Sequence, residues 1–201
     1  MSRTLSADIV DGLRDVLGKE HVLTSGIEKY AHDETEDFEF PPDVVVRPGC
    51  TADVVAILKI ASRHRIPVTP QAARTSLSGG ALCVRGGIAL SLERMARIKE
   101  IDADNLFCVV EPGVITQTLQ EEVERHGLFY GPDPASRGSC TIGGNIGHNA
   151  AGPRALKYGV TKDWVTGLEA VLPSGEVLRS GGKLMKNVPG YNLTQLLVGS
   201  E

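Results

Sequence analysis

The chain has 201 residues, 41% of them hydrophobic and 23% charged, with a formal net charge of −4. That balance argues against a general nucleic-acid or anionic-membrane surface, and no run approaches the ~20 apolar residues of a membrane-spanning helix. A chain of this length buries roughly 70% of its unfolded surface and needs no staples to fold.

MSRTLSADIVDGLRDVLG interrupts its apolar positions with acidic residues, so it does not read as a signal peptide. Residues 7 to 17 predict an amphipathic helix with Ile9, Leu13, Val16 and Leu17 on one face, Ser6 as its cap and Gly18 as its stop. HDETEDFEFPPD, residues 32 to 43, reads as a solvated acidic turn region, and DVVVRP as a short buried strand. Thr51 reads as the N-cap of a helix with Asp53 in its first turn and Val54, Leu58 and Ala61 along one face. Arg63, His64 and Arg65 crowd its last turn, where cations suit the helix dipole. IPVTP and GIALSL are strands on either side of a small, hydroxyl-rich loop.

RIKEID and LFCVVEPG predict strands joined by a turn at Ala103, Asp104 and Asn105. VITQTLQEEVERHG predicts a helix with Leu119 and Val123 inward and Gly127 as its stop. VTGLEAVL and EVLRS predict a hairpin around Pro173, Ser174 and Gly175. In KNVPGYNLTQLLVGSE, Pro189 and Gly190 turn the chain, Asn192 can cap a short helix through Leu197, and Tyr191 reads as a packed core aromatic. The fold class is α+β with two lobes. Residues 1–97 hold the N-terminal helix and a small mixed α/β lobe, and residues 98–201 a lobe with more antiparallel sheet. Cys50, Cys83, Cys108 and Cys140 form no CxxC pair. They predict no metal site and read as reduced thiols in small apolar slots, which suits a cytoplasmic protein.

Two segments make poor regular structure. TPQAARTSLSGGAL, residues 69 to 82, has Gly79 and Gly80 preceded by Thr75, Ser76 and Ser78. Those residue types fit either an anion nest of exposed N–H groups or a plain surface turn. YGPDPASRGSCTIGGNIGHNAAG, residues 130 to 152, reads as a long irregular segment, which a compact domain rarely keeps unless it binds something. Asp133, Ser136, Ser139, Thr141, Asn145 and Asn149 could serve polar ligand atoms, and Gly143 and Gly144 close backbone approach. The chain has no G-x-G-x-x-G after a strand, no Walker A sequence and no G-x-S-x-G elbow, so a Rossmann, P-loop or α/β-hydrolase site is unsupported.

Seven segments in order resemble the FAD-binding domain of the vanillyl-alcohol oxidase / p-cresol methylhydroxylase type, within the FAD-linked 2-hydroxy-acid dehydrogenases. They are DVVVRPGCTADVVAILKIA, VTPQAARTSLSGGA, VVEPGV, YGPDPAS, CTIGGNIGHNAAGPRALKYG, LEAVLPSGEVL and KNVPGYNLTQLLVGSE. The resemblance implies a two-lobed domain with FAD lying between the lobes. Pro70, Gln71, Ala72, Ala73, Arg74, Thr75, Ser76 and Gly80 match its pyrophosphate-binding segment. Pro132, Asp133 and Ser136 match residues near the flavin end, and Thr141, Gly143, Gly144, Asn145, Asn149 and Gly152 a second cofactor-contacting segment.

The family often has glycine where this chain has Ala72 and Arg74, and a smaller residue than His148. Arg74 could add charge near the pyrophosphate or point to solvent, and His148 reads as a surface or hydrogen-bonded histidine. With no histidine in the first loop, FAD is expected to be held noncovalently.

The resemblance also implies oxidation of a 2-hydroxy acid such as glycolate or D-lactate to the 2-oxo acid. Hydride would pass to flavin N5, and electrons would go on to a quinone, a cytochrome or another flavin or iron–sulfur partner. It places the substrate ligands, the catalytic histidine and any metal ligands in a cap beyond GSE, so no catalytic residue is expected within this chain. A noncatalytic flavin-binding fragment and the cofactor domain of an FAD-dependent transferase of the same fold are the alternatives.

Overall fold

Val44, Val45 and Val46 sit at the centre of the first unit, all fully buried, and their alternation assigns the two faces of its sheet. The structure, a computed structural model, describes residues 5–35, 37–186, 188 and 190–201. The chain divides into two compact units, Met1–Met95 with Val171–Val177, and Ala96–Ala170 with Leu178–Glu201. No described helix is long and apolar enough to cross a membrane.

In the first unit the order is α1 (Ala7–Leu17), β1 (Val22–Leu23), β2 (Val44–Val46), α2 (Thr51–His64), β3 (Val68–Gln71) and β4 (Ile88–Ser91). The sheet runs β1-β2-β4-β3, with β1 antiparallel to β2, and β2 and β3 both parallel to β4. Val44, Val46, Ile88 and Leu90 pack with Leu13, Leu17, Val54, Ile57 and Ala61 of the two helices. Val45 and Ala89, on the opposite face, pack with Tyr30 and Cys83. Both faces are thus covered, as a mainly parallel sheet requires.

Several expectations change here. Val16 is 37% exposed and off the α1 core face, and Ser6 precedes the helix without a side-chain cap bond. Cys50, not Thr51, is the N-cap residue of α2; the Asp53 carboxylate accepts the Gly49 N–H at 2.8 Å. Cys50 is exposed, so it occupies no apolar slot. Arg65 closes α2 in the left-handed region at φ +53°.

The second unit begins with an antiparallel pair, β5 (Ile98–Asp102) and β6 (Phe107–Val110). The Asp102 carboxylate stabilises their turn by accepting from the Asn105 N–H and Nδ2, each at 2.9 Å. Next come α3 (Thr116–Arg125), α4 (Ile142–His148) and α5 (Ala155–Tyr158). Val114, Leu119, Val123 and Ile142 form the core. β7 (Gly167–Val171) and β8 (Val177–Gly181) form the hairpin, with Gly175 at φ +84° in its turn. The hairpin tip is counted with the first unit. α6 (Leu193–Leu197) is capped by Asn192, whose Oδ1 accepts the Gln195 N–H at 3.0 Å.

Two readings are corrected in this unit. Residues 142–148 are helical rather than irregular, because Thr141 caps the first turn and Asn149 ends the last at φ +51°. Tyr191 is 96% exposed and belongs to no core. Pro189 of the neighbouring turn lies outside the described residues.

Candidate cofactor-binding site

The first group of candidate residues follows β3 in the first unit. A parallel strand that ends in Gln71 delivers the loop at its carboxyl end, the usual location for ligands in such sheets. Gln71 is 1% exposed, and its Nε2 donates to the carbonyls of Tyr30 at 3.0 Å and Ala81 at 2.7 Å. Its side chain therefore fixes the two ends of the loop. Among the described residues its Oε1 has no partner, and neither does the buried Oγ of Ser91, which is opposite Gln71 in the strand register.

The loop is splinted by residues 30–34. Besides the Tyr30 carbonyl, the Asp33 carboxylate accepts the Gly79 N–H at 3.1 Å, and the Glu34 N–H donates to the Ser76 carbonyl at 3.2 Å. Asp33 is buried and also accepts from the N–H and hydroxyl of Thr35, at 3.1 and 2.5 Å. This corrects the reading of residues 32–43 as a solvated loop, since Asp33 is a structural anchor of the candidate site.

The splint takes up the Ser76 and Ala81 carbonyls and the Gly79 N–H, and leaves the donors of residues 72–77 open. The N–H groups of Ala72, Ala73, Arg74, Thr75, Ser76 and Leu77 have no acceptor among the described residues. A run of unpaired backbone donors is costly unless water or an anion meets it. Of the two positions where glycine is usual, Ala72 has an ordinary negative φ and tolerates a methyl group, whereas Arg74 is held at φ +59°. That conformation costs a non-glycine residue about 1–2 kcal/mol. Its guanidinium lies 4.9 Å from the Tyr30 ring centroid, and such a contact returns about 0.5–2 kcal/mol. Pro70 lies in β3, and Gly80 is exposed just beyond the Asp33 anchor.

The second group lies in the second unit, and most of its polar side chains are engaged internally. Asn145 is buried and donates from Nδ2 to the Thr116 hydroxyl at 2.7 Å, and Asn149 accepts the Lys162 N–H at 2.9 Å. Asp133 is buried between Arg137, at 2.8 Å, and Arg154, at 3.1 Å. The Arg137 hydrogen bond, aided by the charge of Arg154, holds its carboxyl below the usual carboxylate range. The Pro132 carbonyl accepts from Gln120 Nε2 at 2.9 Å, and the Ser136 carbonyl from the N–H groups of Ser139, at 2.8 Å, and Cys140, at 2.7 Å. The Thr141 hydroxyl accepts the Gly144 N–H at 3.4 Å.

The glycines here have packing reasons. A Cβ on Gly143 would press on Pro112, and one on Gly152 would overlap the Asp133 carbonyl. Tyr130 packs against the Val114, Leu119, Val123 and Ile142 cluster and edge-on to Trp164, and burial pushes its phenol well above its ordinary pKa. His148 is half-exposed and paired with Glu201.

The sequence reading missed Asp33 and its bond to Gly79. The local signal for Asp33 was the D-x-T spacing of an Asx turn; nothing local identified Gly79 as its partner. No group of three or more His, Cys, Asp or Glu residues able to hold a metal ion occurs among the described residues.

A family model described as an FAD binding domain matches residues 42–181, well over half of the chain. The chain belongs to this FAD-binding domain family, and its mixed α/β fold is of the p-cresol methylhydroxylase type. It superposes on p-cresol methylhydroxylase with a TM-score of 0.77 and 26% identity, covering 98% of this chain and 39% of that one. It is 46% identical over 199 residues to the glycolate oxidase subunit GlcD of Bacillus subtilis (strain 168), covering 98% of this chain and 42% of that protein. To the D-lactate dehydrogenase of Anaerostipes hadrus it is 36% identical over 199 residues, with the same coverage of 98% and 42%. The chain thus spans about two fifths of the length of these relatives.

Proposed function

We propose that this chain is the cofactor-binding part of an FAD-linked oxidoreductase that converts a small 2-hydroxy acid, such as glycolate or D-lactate, into the 2-oxo acid. The observation that carries the cofactor is the run of open N–H donors from Ala72 to Leu77, splinted at Gln71, Ser76 and Gly79. It suits a diphosphate, with the Thr75 and Ser76 hydroxyls as further donors. The relatives' names, at 46% and 36% identity, supply the substrate class.

In this reading Pro70, Ala72, Ala73, Arg74, Thr75, Ser76 and Gly80 form the diphosphate segment, and Gln71 sets its ends. The second segment meets the flavin end mainly through backbone. Asp133, Asn145 and Asn149 keep that backbone in place, and Gly143 and Gly152 permit its close packing. Bound FAD supplies a two-electron acceptor for the substrate's C2 hydrogen. The chain's own part is to hold and orient it noncovalently, since no histidine lies in the first loop.

The test is a titration with FAD followed by anaerobic addition of substrate. We expect saturable binding of one FAD per chain, weaker binding of FMN, and, in the whole protein, loss of the oxidised-flavin absorbance on adding glycolate or D-lactate. Failure to bind FAD by a folded protein would refute the cofactor. A bound flavin left oxidised by every 2-hydroxy acid tried would refute the substrate class.

A further inference from the structure

Arg74 sits in the middle of the open donor run, at a backbone position suited to glycine. Its side chain is half-buried and lies over the Tyr30 ring rather than extending from the loop. Tyr30 is an immobile platform. It is fully buried, its hydroxyl donates to Glu93 at 3.1 Å, and its carbonyl is held by Gln71. Lys29 also lies over the ring, at 4.8 Å, and Glu93 is paired with Lys29 and Arg47. A glycine at position 74 would reach the left-handed region easily but would leave it just as easily. An arginine clamped to a buried ring is confined there.

We propose that Arg74 is a positioning residue for the cofactor's diphosphate: by stacking on Tyr30 it fixes its own left-handed backbone and so presets the N–H groups of the loop. The inference rests on reading residues 72–77 as a diphosphate cradle. It assigns the arginine's effect to preorganisation of the loop, not to a charge laid against the phosphates. The stack and the phosphate-facing donors are then two sides of one loop conformation.

The experiment titrates flavin-free protein with FAD at low and high salt, with folding checked by circular dichroism. R74A is expected to weaken FAD binding about tenfold, by the same factor at both salt concentrations. R74K keeps a cation over the ring and is expected to recover most of the affinity. R74G relieves the backbone but frees the loop, and should fall between wild type and R74A. Y30F keeps the ring under Arg74 and should weaken FAD binding less than R74A does. Y30L should match R74A, with the double variant no weaker than either single one.

A loss in R74A that disappears at high salt would assign Arg74 to the phosphates directly and overturn the proposal, as would R74A and Y30L effects that add. Should Y30L fail to fold, the salt comparison on R74A and the recovery by R74K still decide the question. Wild-type binding with R74A unchanged overturns this inference alone. A folded wild-type protein that binds no FAD overturns the flavin reading and this inference with it.

Discussion

Gly152→Ala is expected to destabilise the second unit by about 3 kcal/mol or more, lowering Tm by about 6–12 °C. The added methyl would occupy the space of the Asp133 carbonyl and press on the Pro134 nitrogen. Neither side can yield easily. Asp133 is held through its carboxylate by Arg137 and Arg154, and the preceding Pro132 carbonyl by Gln120. Gly152 itself accepts the Ala155 N–H at 2.9 Å, at the start of α5. Gly147→Ala provides the contrast. It lies in α4, and a Cβ there meets nothing within 4 Å. Alanine is favoured over glycine within a helix by about 0.5–1 kcal/mol, so this variant should melt at or above the wild-type temperature. The check is a pair of thermal melts. If G152A melts with wild type, the close approach of Gly152 to Asp133 is wrong.

The two glycines also show where sequence reading stops. A cluster of glycines announces close backbone approach without saying to what. Gly143 and Gly152 answer to Pro112 and Asp133, so their first obligation is to the protein's own packing. The elements that were legible carry local signals. The α1 period, the Gly175 turn and the Asn192 cap each rest on residues within a few positions of one another. α4 was hidden because Gly143, Gly144 and Gly147 give it poor intrinsic propensity; Thr141 and Asn149 define its ends, yet their types suggested ligand contacts. Asp33 was read as solvated because its partner, Gly79, is 46 residues away. Asn145 and Asn149 were marked as ligand groups for the same reason, since their hydrogen-bond partners are also distant in sequence. The loop of residues 71–80 was legible by composition, but its splint by Tyr30, Asp33 and Glu34 was not.

Glu111→Gln is expected to lower stability at neutral pH by about 1.5–3 kcal/mol, and Glu111→Ala by more. Glu111 is 2% exposed at the end of β6, and it accepts from the Arg97 N–H at 2.9 Å and Arg97 Nη2 at 2.8 Å, with Lys99 Nζ 3.5 Å away. Its own N–H returns a bond to the Arg97 carbonyl at 2.9 Å. The chain then passes directly to the carbonyls that receive the start of α4: Pro112 takes the Gly143 N–H at 2.7 Å and Val114 the Ile142 N–H at 2.9 Å. Fixing Glu111 therefore fixes the start of α4, the helix that carries much of the second group of candidate residues.

The Arg97 hydrogen bond keeps the Glu111 carboxyl below its usual range against the opposing effect of burial. A depressed folded-state pKa contributes stability that is fully present above the unfolded value, about 4.3, and is lost as pH falls through the folded value. The wild-type advantage over E111Q should therefore stay level from about pH 8 to 5 and shrink below about pH 4. Arg97 is largely exposed, so solvent screens part of the ionic attraction, and the glutamine, which can still accept from Arg97, should be milder than the alanine. Denaturant unfolding of the three proteins across that pH range is the measurement. A wild-type advantage that persists unchanged to pH 3 would mean that the buried acceptor, and not its charge, holds the end of β6 to Arg97.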